Sequence, residues 1–319
     1  VPKLTRIAVL DDYQGMTLRM GPWERLPHLA PTVFRDTLPM GEALIERLRP
    51  FDAILLMRER TPMPAALIER LPSLKLLITT GERNRAVDAE ACAARGIVFC
   101  GTESFGAPTV DLTWGLILGL ARGIPQQQTG LRAGQWQGMP LGMGLEGRTL
   151  GLLGLGKLGA RVARIGQAFG MKTIAWSQNL AEERAREVGV ERVDKHELFA
   201  RADVVTIHLL LSERSRGLVG AAELAAMRPH ALLVNTSRGP IIDQTALLAA
   251  LHEGRIGGAG LDVFDIEPLP EDHPLLAAPR TLLTPHLGYV TEENYAAYFR
   301  GAVEAIEAYE AGRPIRVIA

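Results

Sequence analysis

Residues 150–159, LGLLGLGKLG, constrain the fold of this chain more than any other stretch. An apolar run leads into Gly154, Gly156 and Gly159, the G-x-G-x-x-G spacing, and helix-forming residues follow. The first glycine permits a tight turn. The second lets a diphosphate approach the backbone, and the third lets a helix pack close to the strand it leaves. A helix starting there offers unpaired N–H groups and the positive end of its dipole to an anion. This reading needs a strand before the glycines and a helix after them, so the rest of the chain must be of α/β type. Glycine turns are common in such chains, and the surrounding pattern decides what this one does.

That pattern is present. Short apolar runs at 6–10, 31–34, 53–57, 75–80 and 97–99 alternate with helical stretches at 41–49, 64–71 and about 88–96. The runs are apolar throughout, as strands are in a parallel sheet covered on both faces. A second series gives strands at 149–153, 172–176, 203–208, 231–235, 258–262 and 281–284. Helices at 221–227 and 244–252 fall between them, and a last helix runs over 292–309. Between the two series lies a helix at 108–122, apolar nearly all round and therefore expected to be buried between domains or subunits. A Gly- and Gln-rich loop over 124–144, carrying Trp136, is long enough to suggest an interface or a functional role. A chain of 319 residues has room for about two domains.

Charge and cysteine content narrow the function classes. Lys and Arg number 35 against 36 Asp and Glu, so no bulk charge draws the chain to nucleic acid or an anionic membrane. No apolar run reaches the roughly 18 residues needed to span a bilayer. The first residues lack the apolar core of a signal peptide, and a cytoplasmic protein is expected. Cys92 and Cys100 are too few for a disulfide scaffold and are not spaced as zinc ligands. They read as small buried residues in a reducing compartment, and no metal is expected.

Three further motifs each close an apolar strand: NTSRGP at 235–240, LDVFDIEP at 261–268 and TPHLG at 284–288. With the glycine turn before them, they resemble the D-isomer-specific 2-hydroxyacid dehydrogenase family. The resemblance runs from about residue 6 to the C-terminus and is densest over 147–288. It implies two doubly wound parallel-sheet α/β domains, Rossmann- and flavodoxin-like, with an interdomain cleft. Residues 1–100 and 288–319 would form the substrate-binding domain, and 101–287 the dinucleotide-binding domain. It also implies a homodimer that interconverts a D-2-hydroxy acid and its 2-oxo acid, with NAD(H) as the default cofactor.

The resemblance assigns a catalytic triad to Arg238, Glu267 and His286. The chemistry explains these residue types. Hydride reaches the carbonyl carbon while a proton reaches its oxygen, and an imidazole gives or takes that proton near neutral pH. Glu267 would hydrogen-bond the other ring nitrogen. Arg238 has a planar fork suited to a carboxylate. Gly154, Leu155, Gly156, Lys157, Leu158 and Gly159 would hold the diphosphate. Ser177 would face the adenine ribose, His208 and Asp262 the nicotinamide end, and Thr236 would also bind the cofactor. Asp262 has a second reading, as a strand-end acid that caps a turn. Arg58, Gly81 and Arg83, with Arg238, would meet the substrate. His28, His196, His230, His252 and His273 read as structural residues without partners.

The departures from the family pattern bear on specificity. No acid follows the strand at 172–176, so nothing repels a 2′-phosphate, and Arg184 lies on the next helix. NADP(H) is therefore admitted beside NAD(H). Gly81 is followed by Glu82, Arg83, Asn84 and Arg85 where a second glycine is common, and Arg60 or Arg85 offers a further cation. Residues 111–114, DLTW, lack a histidine that many members carry, and Tyr289 stands where a glycine is common. Within the family, a glyoxylate or hydroxypyruvate reductase and a short phosphoglycerate dehydrogenase are the alternatives; the sequence ends soon after the last helix, without the regulatory domain of longer members. Formate dehydrogenases of this fold carry Gln where Glu267 stands. A dinucleotide-sensing corepressor is the alternative from another class, disfavoured by the lack of charge runs.

Overall fold

Both apolar series form sheets whose paired strands among the described residues all run parallel, in a computed structural model that describes residues 3–137 and 141–319. The first series supplies β1 (Ile7–Val9), β2 (Pro31–Val33), β3 (Ala53–Leu56), β4 (Leu76–Thr79) and β5 (Val98–Gly101). Their order across the sheet is β2-β1-β3-β4-β5. The second supplies β6 (Thr149–Leu153), β7 (Lys172–Trp176), β8 (Glu191–Arg192), β9 (Val204–Ile207), β10 (Leu232–Asn235), β11 (Gly258–Leu261) and β12 (Thr281–Leu283). Their order is β12-β11-β10-β9-β6-β7-β8. β1, β3, β4, β9 and β10 are buried along their whole length, which is why they read as unbroken apolar runs.

The chain divides into two compact units. One joins Val1–Phe105 to Val290–Ala319, and the other is Gly106–Tyr289. In the first, helix Glu292–Glu310 buries Tyr295, Tyr298, Phe299 and Ile306, with Thr291 capping its start. The chain then pairs antiparallel with the edge of β5: Phe99 N–H donates to the Ala319 carbonyl at 2.7 Å, and Ile318 N–H to Phe99 at 2.6 Å. That segment satisfies an edge whose backbone groups would otherwise be open. Cys92 and Cys100 are buried, and desolvation pushes both thiols up to about 11.

One expectation is corrected. Helix Ala107–Ala121, expected to be buried, packs one side on the sheet of its own unit. Gly258 and Gly260 leave room on β11 for Leu116 and Leu120, and Trp114 lies against Phe169 with ring centroids 4.9 Å apart. The stretch read as a loop over 124–144 begins with a helix, Ile124–Arg132. Gly123 turns the chain with φ of 59°, and Pro125 sits in the first turn, where no partner for its missing N–H is needed. Part of that expected loop, 138–140, lies outside the described residues. Among the described residues no helix is long and apolar enough to cross a membrane.

Candidate active site

In the second sheet the strand order reverses between β6 and β9, and the chain beyond these two strands carries the first half of the site. Gly154 ends β6 with φ of 106°, and a Cβ there would lie 2.7 Å from the His208 carbonyl oxygen. Gly159 packs the following helix, Lys157–Ala168, against the turn; its Cβ would lie 2.2 Å from the Gly154 oxygen. Gly156 is exposed, and a Cβ on it would meet nothing within 4 Å. The three glycines thus do three separate jobs, and the open middle one leaves the approach to the helix N-terminus clear. The cradle fits a diphosphate. Lys157 is exposed beside it and Leu158 is half-buried. Arg184, from helix Glu182–Val188, donates through Nε to the Leu155 carbonyl at 3.3 Å, so its guanidinium sits against the glycine turn. Ser177 follows β7 half-buried, its carbonyl taken by Leu180 N–H.

His208 follows β9. Loss of hydration pushes its imidazole down to about 4, and its Nε2 lies 3.0 Å from the Thr206 hydroxyl. The residue as a whole keeps partial exposure. After β10, Asn235 shapes the NTSR loop: its Oδ1 accepts Ser237 N–H and its Nδ2 donates to the Arg238 carbonyl, both at 2.9 Å. Thr236 is buried, with its hydroxyl 2.8 Å from that of Thr113. Arg238 is half-buried and donates to the Ser237 carbonyl at 2.7 Å.

The loops after β11 and β12 bring Glu267 and His286 together. His286 Nδ1 lies 2.5 Å from Glu267 Oε2, while Glu267 Oε1 accepts Phe264 N–H at 2.9 Å. Burial alone would raise the Glu267 carboxyl. The bond to His286, its charge, Phe264 N–H and the charge of Arg238 outweigh that and hold it below the usual range. His286 adopts a left-handed φ of 54°, a conformation that the turn must support. Asp262 supplies the support. Fully buried, it accepts the Thr284 hydroxyl at 2.6 Å, Leu287 N–H at 2.7 Å and Gly288 N–H at 2.8 Å. Burial raises its pKa, against those bonds and the charge of His286. These bonds are those of a turn cap, and Oδ2, with one donor among the described residues, keeps accepting capacity for a ligand.

In the other unit, Arg58 follows β3 with φ of 57° and lies across Gly81; a Cβ on Gly81 would fall 1.7 Å from its Nη1. Arg58 also donates to the Thr80 carbonyl at 3.1 Å. Gly81 N–H donates to the Thr102 hydroxyl at 2.8 Å. Arg83 is exposed, and Arg60 is held by the Asp11 carbonyl and stacked over Tyr13 at 4.5 Å.

The sequence reading missed several residues that hold these loops. Buried Asn84 donates to the Arg58 carbonyl at 2.7 Å and to Thr79 at 3.1 Å. Thr109 donates to the Gly288 carbonyl at 2.8 Å. A polar residue amid apolar helix positions was the only available signal for Thr109 and Thr113. Three histidines read as partnerless have partners: His28 with Glu310, His230 with Asp203, and His273 with Gln244 and Leu275 N–H.

Comparison with known proteins agrees with this geometry. Residues 114–288, more than half of the chain, match the family model described as "D-isomer specific 2-hydroxyacid dehydrogenase, NAD binding domain". A glyoxylate reductase of Aeropyrum pernix is 36% identical over 86% of this chain and 84% of its own. A D-3-phosphoglycerate dehydrogenase of Methanocaldococcus jannaschii is 39% identical over 80% of this chain, but the match spans only 49% of that longer protein. A crystal structure of a phosphoglycerate oxidoreductase from Vibrio cholerae superposes with a TM-score of 0.91 at 39% identity, covering 97% of this chain and 99% of that one. The glycine cradle, the three strand-end loops and these matches agree: the chain belongs to the D-isomer-specific 2-hydroxyacid dehydrogenase family of oxidoreductases.

Proposed function

We propose that this dehydrogenase interconverts a small D-2-hydroxy acid and its 2-oxo acid, with His286 as general acid and base. The observation that carries the reading is the Glu267–His286 pair at 2.5 Å, which occupies Nδ1 and leaves Nε2 without a protein partner among the described residues. A bound nicotinamide dinucleotide supplies or accepts the hydride at the substrate's C2. The protein's own part is positional and protonic. Gly154, Leu155, Gly156, Lys157, Leu158 and Gly159 bind the diphosphate at the helix N-terminus. His208 and Thr236 line the nicotinamide end, and Asp262 keeps the loop that carries His286. His286 Nε2 gives a proton to the carbonyl oxygen in reduction and takes it back in oxidation. Glu267 holds the ring in one tautomer and balances the imidazolium. Arg238 fits the substrate carboxylate and polarises the adjacent carbonyl.

On the substrate side, Arg58, Gly81 and Arg83 are the candidates. Gly81 N–H is already donated to Thr102, whereas Glu82 and Arg83 N–H have no protein acceptor among the described residues. Those two groups suit a carboxylate.

NADP(H) serves as well as NAD(H) in this reading. Ser177 brings no negative charge to the ribose position, and Arg184 is anchored beside the glycine turn. The protein works as a homodimer in the cytoplasm. Ile124, Leu131, Trp136 and Leu141 are exposed apolar residues of one unit and suit a self-association surface, and the two buried thiols suit a reducing compartment. The deciding experiment follows oxidation of NADH and of NADPH separately, against a panel of 2-oxo acids. Turnover of small 2-oxo acids with both cofactors is expected. No turnover with any acid removes the reading, and a hundredfold preference for NADH removes its cofactor part alone.

A further inference from the structure

Within the loop after β12, one hydrogen bond does not suffice to aim an imidazole. Glu267 fixes the position of Nδ1, but the ring can still swing about that contact and carry Nε2 away from a reacting carbonyl. A second contact resolves this. The Tyr289 ring meets the His286 ring edge-on, with centroids 5.5 Å apart and planes at 74°, the geometry aromatic pairs prefer. Tyr289 is itself buried, with 8% of its surface exposed.

Its backbone has little play. The preceding residue, Gly288, is clamped on both sides: its N–H donates to Asp262 at 2.8 Å and its carbonyl accepts the Thr109 hydroxyl at 2.8 Å. Leu287 N–H is tied to the same Asp262 at 2.7 Å. The stretch between His286 and Tyr289 is therefore rigid, and the two rings face each other across it.

We propose that Tyr289 is a positioning residue that fixes the plane of the His286 imidazole, so that Glu267 sets one point of the ring and Tyr289 sets the direction of Nε2. The inference rests on the reading of His286 as the acid–base group. Misplacement of a reacting group by about 1 Å can cost on the order of 100-fold in rate. A ring left free to swing but still anchored at Nδ1 loses less, about tenfold.

The test is single-turnover hydride transfer, followed by absorbance of enzyme-bound reduced cofactor with a 2-oxo acid in excess. Wild type and His286→Ala are run first. A wild type that transfers no hydride, or a His286→Ala variant that transfers it at the wild-type rate, removes the reading of the site. With that reading in place, Tyr289→Ala is expected to lower the rate constant about tenfold at full amplitude, with substrate KM within threefold. Tyr289→Phe, which keeps the ring, is expected to restore the rate constant to within threefold of wild type. A purely structural role would reduce the amplitude, because fewer molecules are folded, and leave the rate constant of the rest unchanged. That result, or a loss confined to KM, overturns the proposal.

Discussion

Two histidine–carboxylate pairs lie at opposite ends of one sheet. His230 Nε2 sits 2.6 Å from Asp203, just before β9 and β10 begin; His286 Nδ1 sits 2.5 Å from Glu267, after β11 and β12 end. Burial would raise both carboxyls, and in both the histidine and its neighbours outweigh it and hold the carboxyl below its usual range. The surroundings differ. Asp203 also takes Arg148, Arg228 and Thr149 N–H, so it gathers the N-terminal ends of several strands onto one buried carboxylate. His230 stands in solvent, with 47% of its side chain exposed. His286 has 20% exposed, a left-handed backbone, a ring against Tyr289 and an Nε2 uncommitted among the described residues. In the proposed reading, the same chemical pair is a structural bolt at one end and acid–base equipment at the other. Open α/β sheets bind ligands at the carboxyl ends of their strands, and that placement separates the two.

The contrast is broken most directly by truncating each histidine. His286→Ala should lower kcat by about 10²–10⁴-fold, the usual contribution of a positioned acid–base group. His230→Ala should leave kcat within about twofold, since open α/β sheets bind their ligands at the other end. Steady-state kinetics on both variants, normalised to folded protein, decide it. A loss below tenfold for His286→Ala takes the acid–base role from that residue.

His208 sharpens the contrast as a third case, a strand-end histidine with a hydroxyl partner and no carboxylate. Desolvation holds its folded pKa near 4, below the ordinary 6.5. The unfolded chain therefore binds more protons between those values, and stability must rise with pH across that window. The neutral ring's contribution is whole above about 6.5 and is lost as pH falls toward about 4, a loss of about 3 kcal/mol. Denaturant unfolding at pH 7, 5.5 and 4.5 should show the decline, and His208→Asn should flatten it. An equal decline in the variant would assign it to other groups.

The strand-end motifs were legible because each needs particular side chains at fixed offsets after an apolar run. Glu267 and His286 come from separate motifs, yet parallel topology brings the ends of β11 and β12 side by side, so their pairing followed from the order of the motifs. The cap geometry of Asp262 was not separable from a ligand role, because two of its three donors are backbone N–H groups that carry no sequence signature. The contact between Thr113 and Thr236 joins residues far apart in the chain, and no local pattern announces it. Helix Ile124–Arg132 was hidden by polar glutamines and an early proline, both compatible with a loop. The contact of Arg58 with Gly81 became visible only when β3 and β4 were paired.

The smallest expected effect tests the bolt itself. Asp203 and Glu267 both have folded pKa values below their ordinary 3.8 and 4.5. For a carboxyl lowered in this way, the stabilising contribution is complete above the ordinary value and is lost as pH falls through the folded one. This window lies below most of that of His208, so the two can be separated along one pH series. Asp203→Asn should remove its share of the acid loss and lower stability at neutral pH by about 2 kcal/mol, the scale of hydrogen bonds to a charged group. Turnover per folded molecule should be unchanged. Glu267→Gln should remove a comparable share of the acid loss and also slow turnover, because the amide cannot balance an imidazolium. If Asp203→Asn slowed turnover as much as Glu267→Gln at equal folded fraction, the N-terminal pair would be coupled to catalysis. The end of the sheet would then no longer explain why two such similar pairs do different work.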